Sequence, residues 1–199
     1  RHSVVLVGPP GVGKRAIING LAQRMVGEDV PRVLSDKRLV SVNTARLVAG
    51  VDASGAEERL LWLMREASRA GNVVLCFPDV VKMVGITAGG AASLDLAGTL
   101  AQALARTRIP ILATATDTDY RKYLESSPLG SALEKLEVTE PQGNAAIQIL
   151  EVLAGHFEHE HDVVFTYDAV GTAVHLSDRY LHDRYLPEKA VEVLEESAV

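Results

Sequence analysis

This chain has a single cysteine, and it lacks long apolar runs and an excess of basic charge. Its single cysteine, Cys76, excludes an internal disulfide and favours a reducing compartment. No apolar segment approaches the roughly 18 residues that a membrane-spanning helix needs, and the N-terminus has no secretory signal pattern. The net charge of −6 argues against nucleic acid as a main partner. The class that remains is an ordinary globular protein without a membrane or nucleic-acid role.

What the chain does contain is a phosphate-binding loop near its start. The segment from Gly8 to Arg15 reads Gly-Pro-Pro-Gly-Val-Gly-Lys-Arg. Glycines at these positions let successive backbone amides surround a β-phosphate, and the lysine adds a positive charge. A short apolar run precedes the loop and a helical pattern follows it, which is the setting the motif requires. The predicted nucleotide-binding residues here are Pro10, Gly11, Val12, Gly13, Lys14, Arg15 and Ala16.

The last position of this loop departs from the motif. The pattern ends in lysine followed by serine or threonine, whose hydroxyl binds magnesium, and this chain has Arg15 there. Arginine has five donors and no acceptor, so it cannot replace that ligand. Binding of ATP or ADP is therefore expected, and whether magnesium is bound is left open.

Strands and helices alternate over the first two thirds of the chain. The apolar patterns predict strands at 3–7, 38–42, 73–77 and 109–114, and helices at 16–26, 56–70 and 92–106. Continuous apolar strands between helices are typical of a parallel sheet buried on both faces. We therefore predict an α/β fold of the P-loop class.

The pattern changes after Glu140-Pro141, where helices are predicted at 144–156, 167–180 and 187–197 without strands between them. This change predicts a large α/β subdomain at 1–141 and a small helical subdomain at 142–199. The chain begins only seven residues before its loop, so we expect a piece of a longer protein. Alternating His and Glu at 156–161 lacks a closed tetrahedral ligand set, and no metal site is predicted there.

A set of segments in one consistent order resembles the first AAA+ nucleotide-binding module of the Clp unfoldases and disaggregases, the ClpB/ClpC-like family. These segments are Gly20-Leu21-Ala22-Gln23-Arg24, Val30-Pro31, Asp36-Lys37-Arg38-Leu39, Leu47-Val48-Ala49-Gly50, Glu57-Glu58-Arg59-Leu60, Tyr120-Arg121-Lys122-Tyr123 and Leu186-Pro187-Glu188-Lys189-Ala190. The resemblance implies a five-stranded parallel sheet sandwiched by helices and a helical lid. It further implies nucleotide near Pro187 and Lys189, a hexameric ring, protein substrates, and a cytoplasmic or bacterial-type organelle location.

The chain departs from the family at the strand that handles magnesium and water. The family ends this strand in Asp-Glu, and here Val73 to Phe77 is followed by Pro78-Asp79. In the direct alignment Pro78 replaces the metal-ordering Asp, and Asp79 replaces the Glu that polarises water, with a shorter reach. A slip of one residue would let Asp79 serve the metal and would leave no carboxylate for water. Asp79 is the one catalytic candidate.

Three further family features are altered. The polar sensor position falls on Ala115 or on a neighbouring threonine in Thr114-Ala115-Thr116. The segment from Pro128 to Leu133 has no arginine where the family has two, and an arginine finger contributes roughly a thousandfold or more to turnover. The family's pore-loop Lys-Tyr-Arg-Gly corresponds to Asp52-Ala53-Ser54-Gly55.

These departures together favour a pseudo-ATPase, a structural or regulatory module of a protein-remodelling ring that binds adenine nucleotide and has lost most of its hydrolytic groups. Catalytic groups in such a site act as a unit, so losing one reduces the value of the others. Two alternatives remain open. One is an active ATP hydrolase that drives protein unfolding with Asp79, and the other is a protein-interaction scaffold without nucleotide.

Overall fold

The computed structural model describes residues 3–84, 86–87, 93–107 and 109–198. Contacts divide the chain into two compact units. The first holds the segments before and after the phosphate-binding loop, up to Glu137. The second holds Gly8–Lys14 together with Val138–Val199. No helix among the described residues is long and apolar enough to cross a membrane.

The first unit is built on a parallel sheet of five strands in the order β2-β3-β6-β1-β7. Its strands are β1 (Val4–Val7), β2 (Arg38–Ser41), β3 (Val73–Phe77), β6 (Ile111–Ala115) and β7 (Glu134–Glu137), and a two-stranded antiparallel pair adds β4 (Ile86–Thr87) and β5 (Ser93–Leu94). Its helices are α1 (Lys14–Val26), α2 (Arg32–Ser35), α3 (Thr44–Val48), α4 (Ala53–Ala70), α5 (Leu96–Arg106), α6 (Asp117–Asp119) and α7 (Pro128–Ala132). A 3-10 turn at Val80–Met83 and a π turn at Tyr120–Leu124 complete it.

Burial explains the central strands of the sheet. β6 is buried at every position, and β3 is buried at all but its first. Strands that are covered on both faces gain from continuous apolar sequence, which is the pattern at 73–77 and 109–114. Leu60, Met64 and Leu100 from α4 and α5 join the same core and are almost fully buried. The predicted α/β fold with a five-stranded parallel sheet is confirmed.

The second unit contains three helices, α8 (Asn144–His161), α9 (Tyr167–Tyr180) and α10 (Glu188–Ser197). They enclose a separate apolar core with Leu150, Val174 and Leu186 at its centre. Thr166 caps α9 by accepting from the amide of Ala169 at 3.1 Å. The predicted helices at 144–156 and 187–197 are confirmed within a few residues, and 167–180 has the predicted bounds.

Several boundaries differ from the sequence-based expectation. α4 begins at Ala53 rather than at residue 56, because Asp52 caps it by accepting from the amide of Gly55 at 2.9 Å. α1 begins at Lys14, and β6 runs from 111 to 115. α5 begins at Leu96 behind its cap Asp95, and the predicted start at Ala92 lies outside the described residues.

Candidate phosphate-binding site

The backbone of the loop is shaped by two glycines. Gly11 has a φ of 78° and Gly13 a φ of 95°, which is a region that favours residues without a Cβ. α1 starts immediately afterwards at Lys14. Val12 points inward and is buried, whereas Pro10 and Ala16 are exposed on either side. The segment therefore has the turn that brings loop amides and a helix start to one place, as a phosphate site requires.

Lys14 is folded back onto this loop. Its ammonium Nζ donates to the carbonyl oxygens of Gly8 at 2.7 Å and Pro9 at 2.6 Å. These short, charge-assisted bonds hold the positive charge at the loop. A bound phosphate would compete for the same ammonium group.

An acidic side chain lies beside the loop within the second unit. A Cβ placed on Gly11 would collide with the carboxylate oxygen Oε2 of Glu188, and would lie 2.9 Å from its Cβ. Glu188 is the first residue of α10 and its side chain is exposed. The carboxylate thus brings negative charge to a loop whose chemistry suits an anion.

The neighbouring lid residue Lys189 is placed differently. It is buried, and its Nζ donates to Asp178 Oδ1 at 2.9 Å and to the carbonyl of Leu181 at 3.3 Å. Glu140 lies 3.7 Å from the same ammonium group and also accepts from the amide of Leu186 at 2.6 Å. The positive charge of Lys189 is thereby balanced by two carboxylates of the second unit, those of Asp178 and Glu140. Pro187 is buried directly before α10.

Arg15 lies on the first unit and lines a cavity of about 350 Å³. Pro78, the residue directly after β3, lines the same cavity. The other described residues that line it are Ile18, Asn19, Ala22, Leu39, Ser41 and Cys76. The structure therefore brings together the two positions at which the sequence departs from the magnesium-binding pattern. Among the described lining residues there is one cation and no carboxylate.

Cys76 is the thiol at this cavity. Burial raises the pKa of Cys76 to about 11, so the protonated thiol is the form present near neutral pH. A thiol in that state is a poor nucleophile. Cys76 lies in the buried strand β3, so it is explained as a residue of the core.

Asp79, the predicted catalytic candidate, has its carboxylate engaged by a neighbour. Its Oδ2 lies 2.8 Å from Nζ of Lys82, in the turn that follows β3. The backbone of Asp79 is left-handed, with a φ of 60°, and its amide donates to Thr114 Oγ1 at 2.9 Å. Asp79 is absent from the described lining of the Arg15 cavity.

The threonines around the predicted sensor position have structural partners. Thr114 accepts from the Asp79 amide, as described above. Thr116 caps α6, donating from Oγ1 to Asp119 Oδ2 at 2.7 Å and accepting from the Asp119 amide at 3.1 Å. Ala115 between them is buried and has no polar side-chain atom. The Thr114 hydroxyl therefore joins β6 to the residue after Pro78, and the Thr116 hydroxyl stabilises its own turn.

The segment that lacks the family's two arginines, Pro128 to Leu133, contains the helix α7. Ser131 donates to the carbonyl of Ser127 at 3.3 Å, and Ser127 caps the helix through the amide of Gly130. Pro128, Ser131 and Ala132 line a cavity of about 600 Å³ together with residues of α5. No charged side chain is found among its described lining residues.

Sequence patterns did not single out Glu188 or Lys82 as residues of the site. Glu188 stands between the two lid residues that the resemblance indicated, and an acidic residue at a helix start is ordinarily explained by the helix dipole. Lys82 lies three residues after Asp79, a spacing that brings side chains together in a helical turn. In the described part of the chain, no group of three or more His, Cys, Asp or Glu side chains is arranged to hold a metal ion.

Comparisons with known proteins identify a lid domain and relatives that match this chain over nearly its whole length. A family profile described as "AAA lid domain" matches residues 142–199. Among curated proteins, the "Negative regulator of genetic competence ClpC/MecB" of Bacillus subtilis is 38% identical over 200 residues, which cover 99% of this chain and 24% of that protein. The "Chaperone protein ClpB" of Oceanobacillus iheyensis is also 38% identical, with the same two coverages of 99% and 24%.

Solved structures give the same result. The "S. cerevisiae Hsp104-ADP complex" superposes with a TM-score of 0.86 at 32% identity, covering 99% of this chain and 34% of that one. The "S. cerevisiae Hsp104:casein complex, Extended Conformation" also has a TM-score of 0.86 at 32% identity and covers 98% and 34% of the two chains. The present chain thus spans about a quarter to a third of the length of these relatives.

The parallel sheet, the glycine-rich loop before α1 and the matched lid domain define an AAA+ module. Within that class the relatives over the whole chain are Clp-type chaperones and protease subunits. The chain belongs to the ClpB/ClpC-like AAA+ family.

Proposed function

We propose that this module binds adenine nucleotide, ATP or ADP, in its glycine-rich loop and contributes little or no hydrolysis of its own. The observation that carries the proposal is the backbone of Gly11 and Gly13 leading into α1, with the ammonium of Lys14 held over the loop. These groups supply amides and a positive charge to a nucleotide's phosphates. Pro10, Val12 and Ala16 shape the loop around them.

The reduced hydrolysis is proposed from Pro78 and Asp79, the two residues that follow β3. Pro78 has no side-chain ligand for a metal, and Asp79 directs its carboxylate at Lys82. Positioning errors near 1 Å at a reacting group can reduce the rate by about a hundredfold. An active hydrolase based on Asp79 would have to break this ion pair. The carboxylate would also have to reach the attacking water with one methylene group fewer than a glutamate has.

The module's place in a larger assembly is also a proposal. The relatives named above are chaperones and Clp protease subunits, and one was solved with casein. We propose that this chain forms part of a hexameric, protein-remodelling ring in the cytoplasm or an organelle of bacterial descent. Other proteins would be its partners, and Pro187 and Lys189 would lie in the part of the lid that is near the nucleotide.

Calorimetry with ATP and with ADP tests the nucleotide proposal. The chain is expected to bind both, and Lys14→Ala is expected to weaken binding by about tenfold to hundredfold, because charge-assisted bonds to phosphate are lost. Lys37→Ala is the matched control, since the Lys37 ammonium is exposed and donates to the carbonyl of Gly71. Absence of binding heat in the unmodified chain would favour the scaffold alternative. Binding that survives Lys14→Ala unchanged would place nucleotide elsewhere.

A further inference from the structure

A magnesium ion does not suit the cavity that Arg15 and Pro78 share. Magnesium in a P-loop protein is held by a hydroxyl at the loop's last position and by an aspartate after a neighbouring strand. It demands oxygen ligands in near-octahedral arrangement. Here these positions hold a guanidinium and a proline ring, and the described lining contains no carboxylate. The hydroxyl of Ser41 and the amide of Asn19 are its polar uncharged groups.

Asp79, the acidic residue next to Pro78 in the chain, does not supply the missing magnesium ligand. Asp79 directs its carboxylate at Lys82, 2.8 Å away, and it does not belong to the described lining. The pair is neutral overall, so Asp79 leaves the positive charge of Arg15 uncompensated. A divalent cation placed in this cavity would face a fixed like charge without an anionic protein ligand.

The guanidinium of Arg15 is available for a ligand. Arg15 is exposed at the cavity, and it has no hydrogen bond or ion pair with a side chain in the part of the chain that the structure describes. It also follows Lys14 directly, at the start of α1. Its planar fork of donors matches the oxygens of a phosphate group in a bidentate manner.

We propose that Arg15 takes the place of the divalent cation, so that this module binds metal-free nucleotide. The inference rests on the proposed nucleotide function and specifies the ionic form of the ligand: free ATP or ADP rather than its magnesium complex. Arg15 directly follows Lys14 in the chain. Its guanidinium would neutralise phosphate oxygens that a magnesium ion would otherwise neutralise. A guanidinium supplies positive charge but cannot activate a water molecule, which agrees with a module that retains nucleotide.

Calorimetry in magnesium and in EDTA tests this inference. The unmodified chain is expected to bind ATP with equal or higher affinity in EDTA. Arg15→Thr is expected to lose about tenfold or more in EDTA, because a charged partner of the phosphates is removed. The double variant Arg15→Thr with Pro78→Asp restores a hydroxyl and a carboxylate, and it is expected to bind more tightly in magnesium than in EDTA. Arg24→Thr is the control, since Arg24 lies exposed on the same helix and pairs with Asp29.

The outcomes separate this inference from the broader proposal. Nucleotide binding that requires magnesium would overturn the role of Arg15 and leave the nucleotide function intact. Binding in EDTA that is unchanged by Arg15→Thr would overturn it as well. No binding by the unmodified chain in either condition would instead overturn the nucleotide function itself. Arg15→Gln, which keeps the length of the side chain without its charge, repeats the test if the threonine variant is unstable.

Discussion

At the level of single residues, a positive and a negative side chain lie next to the glycine-rich loop. The ammonium of Lys14 favours an anion, whereas the carboxylate of Glu188 lies against Gly11. A phosphate that enters the loop therefore approaches a like charge, and Coulomb repulsion over a few ångströms is significant even near a protein surface. In the proposed nucleotide-binding role of the loop, Glu188 would lower the affinity for nucleotide, and a bound phosphate would have to displace its side chain.

Removing this charge tests the role of Glu188. Glu188→Gln keeps the shape of the side chain, and we expect it to raise ATP affinity severalfold in calorimetry at low salt, with a smaller effect at high salt because of screening. Glu195→Gln changes the same charge on the same helix, away from the loop, and serves as the control. Equal affinities for the unmodified chain and Glu188→Gln would show that the carboxylate moves aside without effect.

Sequence alone predicted the residues of the loop but not the partners that constrain them. The spacing of glycines and lysine is local, and it requires no knowledge of the fold. The ion pair of Asp79 with Lys82 depends on the turn that the backbone makes after β3. The hydrogen bond from the Asp79 amide to Thr114 and the approach of Glu188 to Gly11 depend on the backbone path between distant segments. The predicted nucleotide contacts themselves stay predictions.

At the level of secondary-structure elements, the short helix α7 shows how close packing fixes the position of a helix. Ser127 caps it, and Gly130 packs so closely that a Cβ there would collide with the carbonyl oxygen of Leu124. The collision involves backbone, which cannot move aside as a flexible side chain can. This close approach holds α7 against the π turn that precedes it.

A pair of glycine substitutions tests this packing. Gly130→Ala is expected to lower the free energy of unfolding by about 1–3 kcal/mol, the usual effect of overpacking. Gly20→Ala lies inside α1, where nothing stands within 4 Å of the added methyl group, and it is expected to raise stability by about 0.5–1 kcal/mol. Denaturant unfolding measures both. Equal effects of the two substitutions would contradict the close approach at Gly130.

Among the elements, apolar strands were the most predictable. β3 has the bounds that the pattern indicated, because burial on both faces requires continuous apolar sequence. β7 was not predicted from the pattern. Its residues, Glu134 to Glu137, are all exposed and three of the four are charged, so no apolar signal marks them. β7 is an edge strand specified by its hydrogen bonds to β1.

For the whole molecule, the chain is an AAA+ module of Clp type that contains a glycine-rich loop and a matched lid domain. Resemblance across its length predicted this family, because many short segments occurred in one order. Whether the module hydrolyses ATP depends on a few side chains, which relatives at 35–39% identity do not determine. The proposed loss of ATP hydrolysis therefore depends on three residues, Arg15, Pro78 and Asp79.

The fate of bound ATP tests the proposed loss of hydrolysis most directly. The sample is the full-length protein that contains this chain, with the P-loop lysines of any other nucleotide-binding modules replaced by alanine. It is incubated with ATP labelled at the γ-phosphate, in the presence of magnesium. We predict that the protein retains intact ATP and releases no more phosphate than the Lys14→Ala variant. Phosphate release that Lys14→Ala abolishes and Asp79→Asn reduces by about a hundredfold would contradict this prediction and identify an active hydrolase.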